Sequence, residues 1–396
     1  MMTAPFFTIG FLRRGYSPTG GVEVYLKGLA EGLRGEGHRV ILLGTEEWPL
    51  EEWPGGEILR CRGGGLTEYG AEVESHKNTS GISFDLILSV EKVPGCDLYR
   101  TDEGVHAAWL EQRSRYIGPF ARIFQKISPK HREKLRLEKA LFSPSSTRRV
   151  ISLSHKISNE VQTMYGYPAE RVTLIRNGVP GRLRTTTEER LRARKELGIP
   201  VDEEVALFVG TGWERKGLRF AIAAVDMLKV QGHPNLKLLV AGKGSPKRYA
   251  SSSVRFLGSV SRMAAVYDAA DLFLFPTLFD PFPLATLEAL SAGLPVITTA
   301  ANGVSEIMMP GVHGEVIDSS TNLEELSNAL QKWLAILSDP ERSEEAHTDC
   351  AKLAAEFTLE KNLKETLTVI SEVISEKKKT KNLNKGSLGT KQPDPL

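Results

Sequence analysis

An α/β chain made of two doubly wound domains facing a central cleft is what this sequence predicts, and three observations carry the prediction. Short strand-like apolar runs alternate with helical patterns from the first residues onward. The alternation comes in two series, the second opening after a charged helical stretch at Thr187 to Leu197. In each series the first strand is followed by a glycine turn that opens a helix, Gly20-Gly21 in one and Gly210 to Gly217 in the other.

Taken in order, Phe6 to Leu12 reads as a strand, Val22 to Arg34 as a helix and His38 to Leu43 as the next strand, a βαβ opening. Further strands are expected at Phe84 to Val90, Arg149 to Leu153 and Val172 to Ile175, the last running into the turn signal Asn177-Gly178. The second series predicts strands at Val205 to Val209, Leu236 to Ala241, Val254 to Leu257, Asp271 to Phe275 and Pro295 to Thr298. Helical patterns fill the gaps, as at Leu218 to Val230, Met263 to Ala270 and Leu284 to Ser291. The expected domains are 1–180 and 181–357, followed by an amphipathic helix over 358–376. Residues 377–396 mix lysines with Asn, Gly, Ser and Pro, a composition that offsets little ordering entropy, and predict a disordered basic tail.

A chain of 396 residues is long enough for two or three domains and a sizeable core. Its 51 Lys and Arg nearly balance its 49 Asp and Glu, so no global charge calls for nucleic acid. Cys61, Cys96 and Cys350 are scattered, with neither metal-ligand spacing nor an even disulfide set, which points to a reducing cytoplasm. No apolar run approaches the roughly 18 residues of a membrane span. Arg13 and Arg14 follow the N-terminal apolar run, the reverse of a signal peptide.

Two stretches carry the chemistry. Phe208-Val-Gly-Thr-Gly-Trp-Glu-Arg-Lys-Gly217 joins a strand to a helix. Gly210 and Gly212 let backbone N–H groups approach a ligand, the helix start offers its positive end, and Arg215 with Lys216 adds full charges, so the loop predicts an anion cradle. It is no dinucleotide fingerprint: the third glycine, Gly217, comes too late, and the next strand ends Val240-Ala-Gly-Lys-Gly244 with no acid for a ribose diol. The second stretch, Leu278 to Pro295, places Asp280 on a loop at a strand's carboxyl end and Glu288 in the following helix, a spacing that suits two carboxylates gripping one polyhydroxyl ligand.

Asp280-Pro-Phe-Pro-Leu-Ala-Thr-Leu-Glu-Ala-Leu-Ser-Ala-Gly-Leu-Pro-Val296 resembles the acid, Pro-Phe-Gly, Leu-Glu-Ala and Gly-Leu-Pro-Val order of the retaining glycosyltransferases of family 4, which have the GT-B fold of two Rossmann-like domains. Asp280 replaces the usual Glu, and Pro283 stands where Gly is common. The resemblance implies that Asp280, Phe282, Pro283 and Leu284 meet the donor sugar, that Glu288 holds the nucleotide ribose, and that Arg215 and Lys216 bind the diphosphate. Val254 to Arg262 resembles the family's base-binding strand exit, which implies backbone contacts near Val260 and Ser261. Gly242 and Lys243 could line the same cleft, and Gly20-Gly21 matches the family's N-terminal Gly-Gly motif, facing the diphosphate from the other domain. No Asp-x-Asp occurs, so a metal-independent reaction without cofactor is implied.

Glu91-Lys-Val-Pro-Gly-Cys-Asp-Leu-Tyr-Arg-Thr-Asp-Glu-Gly-Val-His106 resembles a run in the lipopolysaccharide core glucosyltransferase I group. Asp102, Glu103 and His106 are alternatives there for the group that meets the acceptor hydroxyl. After it, nine Lys and Arg between Arg113 and Lys139 interleave with Tyr116, Ile117, Phe120, Ile123, Phe124 and Ile127. This stretch, residues 113–140, reads either as a contact with an anionic membrane face or as a solvated helical hairpin with its apolar residues turned inward. The expectation is a hexosyltransferase moving glucose from a uridine diphosphate donor to a lipopolysaccharide-type acceptor, peripheral on the cytoplasmic membrane face. An epimerase or phosphorylase of the same fold, or a silent sugar-nucleotide-binding protein at a membrane, stands as the alternative.

Overall fold

The computed structural model describes residues 6–18, 20–181 and 185–388, with 381–388 as helical backbone. The first lobe runs β1 (Thr8–Leu12), α1 (Gly21–Gly35), β2 (Arg39–Gly44), β3 (Ile58–Arg60), α2 (Leu66–Thr79), β4 (Leu86–Ser89), β5 (Leu98–Arg100), α3 (His106–Ser114), α4 (Pro119–Ile127), α5 (Pro129–Leu141), β6 (Arg149–Ser152), α6 (His155–Tyr165) and β7 (Val172–Leu174). The second runs α7 (Thr187–Leu197), β8 (Val205–Val209), α8 (Leu218–Val230), β9 (Lys237–Ala241), β10 (Val254–Gly258), α9 (Met263–Ala269), β11 (Leu272–Phe275), α10 (Leu284–Ser291), β12 (Val296–Thr299), β13 (Gly314–Ile317), α11 (Leu323–Leu337) and α12 (Pro340–Ala355). The chain then enters α13 (Leu359–Leu388).

Both sheets are parallel, with strand orders β3-β2-β1-β4-β5-β6-β7 and β10-β9-β8-β11-β12-β13. The order reverses between β1 and β4 in one and between β8 and β11 in the other, and such reversal points open a crevice at the strands' carboxyl ends. The glycine loops after β1 and β8, and the Asp280 loop after β11, all leave from these two crevices. Strands buried on both faces read as unbroken apolar runs, which is why Val205 to Val209 and Leu272 to Phe275 were legible. β3, β5 and β13, of three or four residues each, had no counterpart among the expected strands.

The final helix corrects one expectation. Residues 377–388, expected to be disordered, continue α13 as helix, while 389–396 lie outside the described residues. Val369, Ile370, Val373 and Ile374 are buried in the first lobe's core, so the helix returns from the second lobe and packs on α1. The base of that return is a backbone junction: Val179 N–H donates to Phe357 O at 3.0 Å and Leu359 N–H to Val179 O at 2.9 Å. Both crossings between lobes therefore share one place.

Candidate functional site

Between the lobes lies a cavity of about 460 Å³, lined from the first lobe by Gly20, Gly21 and Tyr25 and from the second by Gly210, Lys216, Gly242, Lys243, Val260, Leu284 and Glu288, among others. Both glycine loops thus reach one space. A Cβ on Gly21 would collide with Leu284 Cδ1 across the cleft, so this glycine sets how closely the lobes approach. Gly210 has φ +138°, a conformation that favours glycine, and a Cβ there would lie 2.7 Å from Lys216 Nζ and displace that side chain.

The loop 210–217 is fixed before any ligand arrives. Trp213 donates from Nε1 to Gly210 O at 2.9 Å and stacks on Phe256 with ring centroids 5.3 Å apart. Leu278 N–H donates to Arg215 O at 2.8 Å, tying this loop to the one that carries Asp280. Arg215 Nη1 donates to Phe279 O at 2.6 Å and to Asp280 Oδ2 at 3.1 Å. Lys216 Nζ lies 3.6 Å from the same Asp280 oxygen and 4.9 Å from the Phe275 ring centroid. Burial holds the Lys216 ammonium below the ordinary lysine range, opposed by Asp280 and assisted by Arg215. Asp280 is buried and anchored through its backbone, with its N–H donating to Ala301 O at 3.1 Å and its O accepting from Gly303 N–H at 2.9 Å.

Glu288 faces the cavity from α10, one turn beyond Leu284 and Ala285. Tyr267 Oη donates to its Oε2 at 2.6 Å. Burial raises the Glu288 carboxyl above its usual range, against the pull of Tyr267 and Lys216. Among the other expected site residues, Gly212, Arg215, Asp280, Phe282, Pro283 and Ser261 do not line the cavity; Arg215 and Asp280 stand behind Lys216, Phe282 is buried in the second lobe's core, and Pro283 caps α10.

The three acceptor-side alternatives separate in space. Glu103 turns to Lys134 at 3.3 Å with its side chain half exposed. Asp102 pairs with Arg100, whose guanidinium lies 3.8 Å over the Tyr25 ring and also donates to Asn177 Oδ1. Tyr25 and Asn177 line the cavity, so Asp102 belongs to its wall network, with Oδ2 buried and unpartnered. Burial raises its carboxyl pKa, with Arg100 opposing. His106 starts α3, its Nε2 3.1 Å from His131 Nδ1. Burial and Lys134 push the His106 imidazole down to about 4, so it stays neutral near pH 7. The 102–106 loop touches the Asp280 loop directly, since a Cβ on Gly104 would lie 2.8 Å from Phe279 and Pro281 atoms.

Several residues that position this wall gave no sequence signal. Glu138 is buried and accepts from the backbone N–H groups of His106 at 2.6 Å and Ala107 at 3.0 Å, from Tyr165 Oη at 2.6 Å and from Lys92 Nζ at 2.8 Å. A buried carboxylate at a helix start satisfies donors that the helix itself leaves open. Asn177, read as a turn former, donates from Nδ2 to Phe282 O at 2.6 Å and so joins the lobes. Arg113 on α3 donates to Glu214 Oε1 at 3.1 Å across the cleft and to Gln125 Oε1 on α4 at 3.1 Å.

On α4 the patterning is inverted. Phe120, Ile123, Phe124 and Ile127 are exposed while Gln125 is buried, so the apolar residues do not turn inward as a hairpin core would require. Among the described residues no helix is long and apolar enough to cross a membrane, and no three His, Cys, Asp or Glu side chains gather as a metal site.

Comparison with known proteins places this geometry. Residues 189–349 match the family model for glycosyl transferases group 1. An uncharacterized glycosyltransferase, MJ1607 of Methanocaldococcus jannaschii, is 27% identical over 74% of this chain and 80% of its own. The lipopolysaccharide glucosyltransferase WaaG of Escherichia coli K12 is 25% identical over 82% of this chain and 89% of its own. A crystal structure of WaaG superposes with a TM-score of 0.77 at 23% identity, covering 91% of this chain and 99% of that one. Anabaena Alr3699/HepE in complex with UDP and glucose superposes with a TM-score of 0.69 at 18% identity, covering 92% of this chain and all of that one. Both structures share the two-lobed GT-B fold.

Proposed function

Starting from a glycosyltransferase of group 1 with GT-B architecture, we propose that this chain moves a hexose, glucose from uridine diphosphate glucose, onto a glycolipid acceptor of the lipopolysaccharide type, with retention at the anomeric carbon and without a metal. The observation that carries the reading is the cavity where Lys216, the two glycine loops and Glu288 meet. WaaG and the UDP complex of HepE support the donor class by likeness.

In this reading the diphosphate sits between the Gly20-Gly21 and Gly210 backbones with Lys216 at its oxygens. As the bond from sugar to phosphate breaks, the leaving oxygen gains negative charge, and cations already in place lower that barrier by about 3 kcal/mol per charged contact. Arg215 acts one step removed, holding Asp280 and Lys216 in register. Glu288 accepts from the ribose hydroxyls, and Asp280 holds the Lys216 ammonium from behind. The acceptor hydroxyl attacks from the face the diphosphate leaves, and its proton passes to the departing phosphate oxygen. Of the three acceptor-side alternatives, we assign Asp102 to the acceptor side as the group that braces Arg100 against Tyr25 in the cavity wall; His106, held neutral, shapes the loop beside it.

The exposed face of α4 supports contact with a lipid surface, which would bring the glycolipid to the cleft and give a peripheral cytoplasmic location. Phe120, Ile123, Phe124 and Ile127 stand outward among Arg122, Lys126 and Lys130. Apolar insertion and about 1 kcal/mol per basic residue near an anionic surface act together there.

The test is turnover of uridine diphosphate glucose in the presence of a lipopolysaccharide-core acceptor, with the product's anomeric configuration read by NMR. Lys216→Ala and Glu288→Ala are expected to lose most of the rate. Near-normal rates in both would refute the donor site, and nucleotide release independent of acceptor would favour another activity on this fold.

A further inference from the structure

We propose that Tyr267, a residue that never reaches the cavity, is the positioning residue that makes the site select a ribonucleotide over its 2′-deoxy counterpart. The inference rests on the nucleotide-donor reading above and deepens it.

The observation is a short hydrogen bond from a buried phenol to Glu288. Tyr267 lies on α9, fully buried behind α10 and tilted against Phe273 at 6.4 Å between centroids. Its hydroxyl has one proton and two candidate acceptors, Glu288 Oε2 at 2.6 Å and Ala285 O at 3.3 Å. The shorter contact to a charged acceptor takes the proton. Oε2 is thereby committed to the protein interior, and the other carboxylate oxygen is the one left for a ligand in the cavity that Glu288 lines.

A glutamate side chain on a helix has three rotatable bonds, and an unrestrained one would sample several rotamers at an entropic cost on every binding event. The phenol removes that freedom in advance. The same bond acts on the charge as well: burial raises the Glu288 pKa, and Tyr267 with Lys216 opposes this. A carboxylate at a fixed point accepts from both hydroxyls of a ribose diol and loses one of those bonds to a 2′-deoxyribose. Sites built on such a bond reject analogues that leave the polar group unpaired. No other side chain is recorded as donating to Glu288 among the described residues.

Tyr267→Phe keeps the ring and deletes only the donor. Calorimetric titration with uridine diphosphate and with 2′-deoxyuridine diphosphate is expected to show the parent chain preferring the ribonucleotide by roughly tenfold or more. Tyr267→Phe should lose most of that preference, by weakening ribonucleotide binding while leaving deoxyribonucleotide binding within about twofold. With uridine diphosphate glucose as donor, the loss should fall on KM more than on kcat. Glu288→Ala should abolish the preference as well, and Tyr267→Phe combined with Glu288→Ala should add nothing further. A Tyr267→Phe chain that keeps the parent's preference, or that weakens both nucleotides equally, overturns the positioning role alone. A parent chain that binds neither nucleotide overturns the donor reading and this inference with it.

Discussion

Lys216 Nζ lies 3.6 Å from Asp280 Oδ2, so the cation that faces the cavity already has a counter-charge from the neighbouring loop. Asp280 thus acts on the lysine directly: the pull of its carboxylate raises the Lys216 pKa against the burial that lowers it.

Asp280→Asn removes that pull. Lys216 then loses its proton at lower pH, so diphosphate affinity, which falls as pH rises through the Lys216 pKa, should begin to fall earlier in the variant than in the parent. Titrations of uridine diphosphate between about pH 7.5 and 10 read the displacement, a window above the second phosphate ionisation and up to the ordinary lysine range. Coincident profiles would show that Asp280 does not govern the lysine.

Arg113 and Glu214, 101 residues apart, meet across the cleft beside the phosphate loop. An exposed pair of this kind is worth about 0.2–1 kcal/mol, too little to hold the lobes shut but enough to bias them. Arg113→Glu should therefore raise the donor KM by roughly two- to fivefold, and the reversed pair Arg113→Glu with Glu214→Arg should recover most of it. Failure of the reversed pair to recover would mean that Arg113 acts through Gln125 on α4 instead.

Lys92 and Glu138 form an ion pair buried on both sides, and Glu138 also closes the start of α3. Removing one partner strands the other charge, at a cost of about 3–5 kcal/mol. Glu138→Ala should lower the urea midpoint by a corresponding amount, while Lys92→Met combined with Glu138→Leu should be less destabilised than Glu138→Ala. Equal stability of Glu138→Ala and parent would remove the assigned anchor.

Phe120→Asp with Phe124→Asp should cut cosedimentation with vesicles of mixed neutral and anionic phospholipid, since each aromatic lost from an interface forfeits about 1.5–3 kcal/mol of burial. Both side chains stand out from the protein, so the melting temperature should hardly change. Unchanged vesicle binding would leave the exposed face of α4 without a lipid role.

Much of this was legible in the chain. The strands of both crevices read correctly because burial on two faces leaves continuous apolar runs, and the glycine turns lie where the sequence put them, at the starts of α1 and α8. The tail did not read correctly: its polar composition hides that α13 enters it already formed and packed on α1 through Val369 to Ile374. The two readings of residues 113–140 were left open by the sequence, and only the structure shows Gln125 buried on α4 while Phe120, Ile123, Phe124 and Ile127 stand exposed.

By itself the sequence determined the two-series α/β order, the glycine turn at 210–217 and the placing of Asp280 and Glu288 on a loop and the following helix, because each rests on periodicity or turn chemistry confined to neighbouring residues. Only the tertiary structure decided which side chains act together. Asp102, Glu103 and His106 span five positions, yet one enters the cavity wall, one turns to Lys134 and one meets His131, because successive residues around a tight turn point in different directions. Tyr267 behind Glu288 and Arg113 against Glu214 are set by strand order and by how the lobes are juxtaposed, and no local pattern in a chain encodes that.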